Sequence, residues 1–317
     1  MGVRLFQLAV SATLIFLVAC QKKASKPKEI EGSGRTTEPT TAQPAVEPPM
    51  PSLGDVFTVA TSGTEMLLVR PGTFMMGSPE DESGRESIEA QHNVTITQGF
   101  WLGKYEVTRL EWEKVMSPVQ PPQADTDSDE PTPDPYADVE RPKFPKVNVN
   151  WIEAMDFCDK LALAEKEAGN LPEGYIYSLP TESQWEYACR AGTTTSTAFG
   201  NELGPGDAAI DPQRPYGAAA KARIPKRLHK VGEYEPNAWG FYDMHGNAVE
   251  WCRDFFFARY PTGLVLDPIH LHNTGLKVKR GGSFFLDGTV ARSAKRGSDS
   301  PNRQSDELGF RLSLVSE

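Results

Sequence analysis

The stretch from Trp239 to Trp251, reading Trp-Gly-Phe-Tyr-Asp-Met-His-Gly-Asn-Ala-Val-Glu-Trp, most restricts what this chain can fold into. Trp239, Phe241, Tyr242 and Trp251 demand burial, whereas Gly240, Gly246 and Asn247 favour backbone that turns sharply. The combination predicts an irregular loop anchored by buried rings. Within it, Asp243 and Glu250 stand seven positions apart with a Gly-Asn turn between them, so the carbonyls of Gly246 and Ala248 could point inward beside two carboxylates. Oxygen ligands of both kinds suit a hard cation, Ca2+ above all. Asp243, Gly246, Ala248 and Glu250 are therefore the expected cation ligands; two solvent-facing carboxylates that cap turns are the alternative.

Regular structure is predicted mainly upstream. Met66 to Val69 and Val94 to Thr97 read as strands, and Phe100 to Val107 as a third. Three capping boxes follow, Thr108-x-x-Glu111, Asn150-x-x-Glu153 and Thr181-x-x-Gln184. In each, side chain and backbone reciprocally satisfy free amide hydrogens at a helix start. They predict helices reaching about Met116, Ala168 and Ala191, the second packing through Met155, Cys158, Leu161 and Ala162. From Gly192 onward only short strand candidates occur, such as Leu276 to Val278 and Phe310 to Leu314. Residues 116–145 are rich in proline and acidic residues and lack an apolar period, which reads as a surface insertion that is either a solvated loop or a site of partner recognition.

Six motifs then occur in a telling order: Phe74-Met75-Met76-Gly77-Ser78, Tyr105-Glu106-Val107-Thr108, Leu179 to Ala188, the Trp239 to Trp251 stretch, Arg280-Gly281-Gly282-Ser283-Phe284-Phe285, and Leu308-Gly309-Phe310-Arg311. From about Met66 to Ser313 the chain resembles the formylglycine-generating, or sulfatase-modifying factor, family. The resemblance implies an α+β fold with a C-type-lectin-like core, low in regular secondary structure, forming a single domain over residues 55–317 and stabilised by Ca2+. It also implies that Arg280, Ser283, Arg292, Arg296 and Arg311 ring or underlie a ligand cleft. Arginines so placed either bind a carboxylate-bearing ligand or pair with Asp and Glu to hold loops.

The resemblance does not extend to the chemistry. Catalytic members carry two cysteines within about ten residues of the Gly-Gly-Ser motif, where they bind copper and activate oxygen. Here the segment runs Ser283 to Arg292 without a thiol, and no cysteine follows Cys252. Sulfur ligands select Cu(I), so a copper site has no ligands in this segment. Other relatives use iron held by histidines, which draws attention to His270 and His272; exposed loop histidines are the alternative reading. The two function classes are thus a binding or assembly module and a metal-dependent oxidoreductase acting on a peptide or small molecule. Motifs for hydrolases, P-loop proteins and dinucleotide binding are absent from the sequence.

The family's cysteines matching Cys158 and Cys189 find partners at places that here hold Leu312 and Ser293. With Cys252 the only other thiol of the domain, the expectation is one bridge, Cys189 to Cys252, with Cys158 free; three reduced thiols are the alternative. Exported proteins permit such a bridge.

Export is expected because Arg4 precedes an apolar run, Leu5 to Val18, that ends Leu17-Val18-Ala19-Cys20 in the pattern of a bacterial lipobox. Residues 1–19 read as signal peptide, Cys20 as the lipidated residue, and residues 20–54 as a Pro- and Thr-rich tether. Gln21 in place of Asp favours the outer membrane of a diderm envelope. The chain is 38% hydrophobic with a net charge of −10. That acidity argues against nucleic acid and leaves an envelope protein or peptide as the partner, with the membrane reached through the lipid.

Overall fold

The computed structural model describes residues 55–117, 143–260 and 263–317. The expected signal peptide, Cys20, the tether and most of the insertion at 116–145 lie outside them. The described residues all belong to one compact unit.

Three sheets carry the fold. The first has five strands, in the order β1 (Val56–Thr58), β2 (Glu65–Val69), β5 (Phe100–Gly103), β12 (Ser313–Ser316) and β6 (Tyr175–Ser178). The C-terminal strand lies between β5 and β6, with Ser313 opposite both Leu102 and Ser178, so the two ends of the unit close on one another. A second sheet has the order β10 (Gly297–Asp299), β9 (Lys277–Arg280), β7 (Val249–Phe255) and β11 (Leu308–Phe310). A third joins β3 (Gly72–Met76), β4 (His92–Ile96) and β8 (Leu264–Leu266).

The strand expected over Phe100 to Val107 stops at Gly103, where the backbone N–H turns to Leu312 O at 2.8 Å. The strand expected over Phe310 to Leu314 is divided, because Arg311 leaves the β11 ladder to reach Glu250 and β12 begins only at Ser313. The loop expected through Trp251 gives way at Val249 to β7, a seven-residue strand paired on both edges.

The three helices start where their capping boxes stand: α1 (Arg109–Met116), α2 (Trp151–Glu167) and α3 (Glu182–Arg190), with both reciprocal bonds present in every box. Helix α2 buries Ala154, Phe157, Cys158, Leu161 and Glu165, with Met155 and Ala162 at the edge of the core. Helix α3 is buried along almost its whole length, and Ala191 ends it in the left-handed region at φ 46°. Among the described residues no α-helix follows α3, although a 3-10 turn runs over Gly288–Ala291. Trp101, Trp185 and Trp251 are fully buried, at 0–1% exposure, and serve as the anchors of the two main core clusters.

Candidate functional site: a carboxylate and arginine frame behind the Gly-Gly-Ser cleft

The Trp239 to Trp251 stretch is anchored by two of its four large rings, with Tyr242 half-buried. Phe241 and Trp251 are buried, but Trp239 is exposed and packs edge-on against Tyr187 at 4.8 Å. Asp243 and Asn247 both adopt φ 58°, a left-handed turn that short polar side chains tolerate. Gly246, at φ 97°, passes so close to the Ala209 carbonyl that a Cβ would sit 2.2 Å from its oxygen.

The expected cation ligands have unequal surroundings. Glu250 accepts from Arg311 Nη2 at 2.7 Å and from Trp185 Nε1 at 2.7 Å, so both of its oxygens are held. Asp243 accepts from Gly232 N at 2.7 Å. Burial raises its carboxyl to about 6, although the Gly232 N–H opposes the shift. Glu106, from the Tyr-Glu-Val-Thr motif, is the member sequence reasoning missed. Its Oε1 accepts from Asn247 Nδ2 at 2.9 Å, while Oε2 is buried without a partner. Burial, and then the charge of Asp243, push the Glu106 carboxyl well above the usual range. An excess of buried acceptors with one orphaned oxygen fits a hard cation at Asp243 and Glu106; Glu250 fits it less, being committed to Arg311. Among the described residues no three His, Cys, Asp or Glu side chains already converge on one metal position, and that holds for the His270 and His272 pair as well.

Of the two roles open to the cleft arginines, the structure displays pairing. Arg280, Arg292, Arg296 and Arg311 are all nearly inaccessible. Arg280 Nη2 bonds Glu186 Oε2, and Nη1 and Nη2 donate to the carbonyls of Ala294 and Ser293 at 3.0 and 2.9 Å. Arg292 forks onto Glu89 at 2.9 and 3.0 Å. Arg296 forks onto Glu182 at 2.7 Å through both Nε and Nη2. Arg311 holds Glu250 and also donates to Gly103 O at 2.9 Å. Burial opposes the charge of each guanidinium, but the glutamates outweigh it and hold Arg280 and Arg311 above the ordinary arginine value. Ser283 Oγ likewise donates to Glu307 Oε2 at 2.5 Å. Of these residues Arg280 and Arg296 line the cleft at Gly281 and Gly282, and all four guanidiniums are committed to glutamates. Bidentate pairs closed this way fix loops that have no ladder of their own. The partner glutamates carried no local signal, since each lies far from its arginine in sequence.

The expected Cys189–Cys252 bridge does not form: Cys158, Cys189 and Cys252 are buried free thiols. The Cys189 sulfur faces His245 Nε2 at 3.6 Å, Ser293 Oγ at 3.7 Å and Met244 O at 3.8 Å, and Cys252 shares its core cluster without bonding to it. Burial raises the Cys189 thiol to about 12 and lowers His245 to about 4, so the two meet as neutral groups without thiolate character.

Residues 53–314 match the model of the sulfatase-modifying factor enzyme 1-like domain. The formylglycine-generating enzyme of Bos taurus is 24% identical over 297 residues, which cover 78% of this chain and 74% of that protein. The chaperone protein LppX of Paenibacillus barcinonensis is 25% identical over 228 residues, covering 61% of this chain and 72% of LppX. The structure of PvdO from Pseudomonas aeruginosa superposes with a TM-score of 0.62 at 27% identity, over 82% of this chain and 98% of PvdO. With the family model spanning nearly the whole folded unit and the fold shared with PvdO, this chain belongs to the sulfatase-modifying factor, or formylglycine-generating enzyme-like, family.

Proposed function

We propose that this protein is a binding or assembly module of the cell envelope, held to the membrane by lipid at Cys20, which keeps the family fold without copper-dependent formylglycine chemistry. One observation carries the reading. Behind the Gly-Gly-Ser turn the chain places Phe284, Phe285 and Leu286, with Phe285 exposed under Lys226 at 4.6 Å, and no thiol stands between Ser283 and the C terminus. The described thiols lie elsewhere, buried and held neutral: burial pushes Cys158, Cys189 and Cys252 all upward. Thiolate is the form that ligates soft metals. A relative named as a chaperone supports a role in holding or assembling other proteins. Ca2+ belongs to this proposal as a structural ion near Asp243, Glu106 and the carbonyls of Gly246 and Ala248, where it would offset the excess of buried negative charge.

Oxygen uptake by the copper- or iron-supplemented protein with a cysteine-containing peptide tests the central point, and no turnover above the metal blank is expected. Stoichiometric iron or copper with oxygen consumption would establish the oxidoreductase instead. The anchor is tested by labelled palmitate, which should enter the wild type and not Cys20→Ala. For calcium, the melting temperature should rise on adding Ca2+ to the wild type and rise much less in Asp243→Asn, because an ion that binds only the native state stabilises it by mass action.

A further inference from the structure

A dense run of positive charge borders the Gly-Gly-Ser turn. Residues 221–230 carry Lys221, Arg223, Lys226, Arg227 and Lys230, all exposed, although the whole chain has a net charge of −10. The run lies outside any helix or strand and is pinned near its ends: Ala222 N donates to Pro212 O at 2.9 Å, and His229 N to Asn247 Oδ1 at 3.0 Å. Between those points, from Arg223 to Leu228, the backbone makes no hydrogen bond among the described residues. Lys226 Nζ stands 4.6 Å over the ring of Phe285, which closes the Arg-Gly-Gly-Ser-Phe-Phe motif. Phe285 is 56% exposed and Ile224 is 47% exposed.

Its charges are open where those of the buried frame are closed. Arg280, Arg292, Arg296 and Arg311 each hold a glutamate. In the run, Lys226 pairs with Asp211 at 2.7 Å and His229 Nδ1 meets Glu233 at 2.7 Å. Against its burial, the Glu233 carboxyl is lowered by His229 and, less, by Arg227. Lys221, Arg223, Arg227 and Lys230 form no ion pair among the described residues. Exposed cations this close together in sequence concentrate a positive potential, and charges farther away than a Debye length of about 8 Å do little to cancel it.

We propose that this run and Phe285 bind an acidic peptide segment of another protein, with its carboxylates on Lys221, Arg223, Arg227 and Lys230 and its apolar side chains on Ile224 and Phe285. Complementary charge steers such a segment to the run and sets its register, and the exposed ring gives it an apolar anchor. The backbone favours a peptide over a membrane. Free N–H and C=O groups between Arg223 and Leu228 can pair with a second main chain, whereas a bilayer surface has no main chain to offer. Net charge points the same way: a broad anionic bilayer would also face the acidic remainder of the surface, which a single peptide segment avoids. This partner deepens the proposed binding role and rests on it.

The test is fluorescence anisotropy of full-length Cys20→Ala protein with a labelled peptide of glutamates around one central phenylalanine. It should bind at least roughly tenfold more tightly than the same peptide with glutamines, and less tightly as salt rises. Adding Arg227→Glu should weaken it at least roughly fivefold, whereas Lys166→Glu, an equal change of net charge at an exposed position on α2, should weaken it less than about twofold. If Arg227→Glu does not fold, Arg223→Glu gives the same reading. No preference for the acidic peptide, or equal losses in the two variants, would overturn the proposal. Tighter binding to phosphatidylglycerol vesicles than to the peptide, lost in Arg227→Glu, would assign the run to a membrane instead. Binding seen only after the acidic residues of 125–130 are replaced by serine would assign it to the chain's own insertion and equally overturn the external partner. Oxygen uptake tests the binding role separately, so the two failures are distinguishable.

Discussion

Cys189 Sγ lies 3.7 Å from Ser293 Oγ, across 104 residues of chain and inside the buried core. The serine stands where the family resemblance leads one to expect a bridging cysteine, and the two side chains meet directly. Ser293→Cys should therefore form a disulfide with Cys189 on oxidation. Non-reducing peptide mapping would identify it, and a bridge closing so long a loop should add about 2–4 kcal/mol. If both thiols were alkylated after oxidation and denaturation, the expectation would fail.

Arg292 pins the loop from Ser78 to Glu89 to the 3-10 turn by a fork onto Glu89, a contact to Glu82 and a bond to Gly84 O. Lysine presents a point charge and cannot serve three sites at once. Arg292→Lys should lose about 1–3 kcal/mol, less than the roughly 3–5 kcal/mol of removing one partner of a buried pair, because a charge remains. Hydrogen exchange should accelerate first between residues 79 and 89. Uniform acceleration across the unit would argue against a local pin.

Asp254 gives the fold a pH dependence. Burial, and then the charge of Glu182, raise its carboxyl from 3.8 to about 7, against the His270 and Glu182 N–H groups. The native carboxyl thus keeps a proton that the unfolded chain has already released. Its stabilising contribution is full below the unfolded value and is lost as pH rises through about 7. Glu182 is lowered by Arg296 and Arg280 against its burial and does not titrate in that interval, while burial brings Lys277 down only to about 8. Asp254→Asn should lower the melting temperature overall, because one amide oxygen replaces two acceptors. It should also flatten the fall in melting temperature between about pH 5 and 7. An unchanged slope would refute the assignment to Asp254.

Gly246 is required by both its φ and its neighbour, since a methyl there would meet the Ala209 carbonyl at 2.2 Å. Gly246→Ala should cost more than about 1 kcal/mol in chemical denaturation. Gly192→Ala, also at positive φ (89°) but with nothing within 4 Å of the added carbon, is the matched control and should cost less. Equal effects at the two positions would show that backbone freedom, not the close approach, governs the site.

The sequence by itself determined the features whose physics is local. Each helix began at its capping box, because those bonds join residues three apart and depend on nothing else in the chain. The order of six short motifs was enough to identify the family, and the missing thiols after Cys252 were plain to read. The tertiary structure alone decided what depends on distant pairings. It assigned each cleft arginine a glutamate, Arg292 and Glu89 being 203 residues apart. It turned Cys189 toward Ser293 and set Glu106 beside Asp243. Strand β7 belongs with these, because a strand's hydrogen bonds lie on its neighbours, and Val249 to Phe255 becomes one only where β9 and β11 flank it. Charge pairing and sheet formation are satisfied through space, and the arrangement in space exists only once the chain has folded.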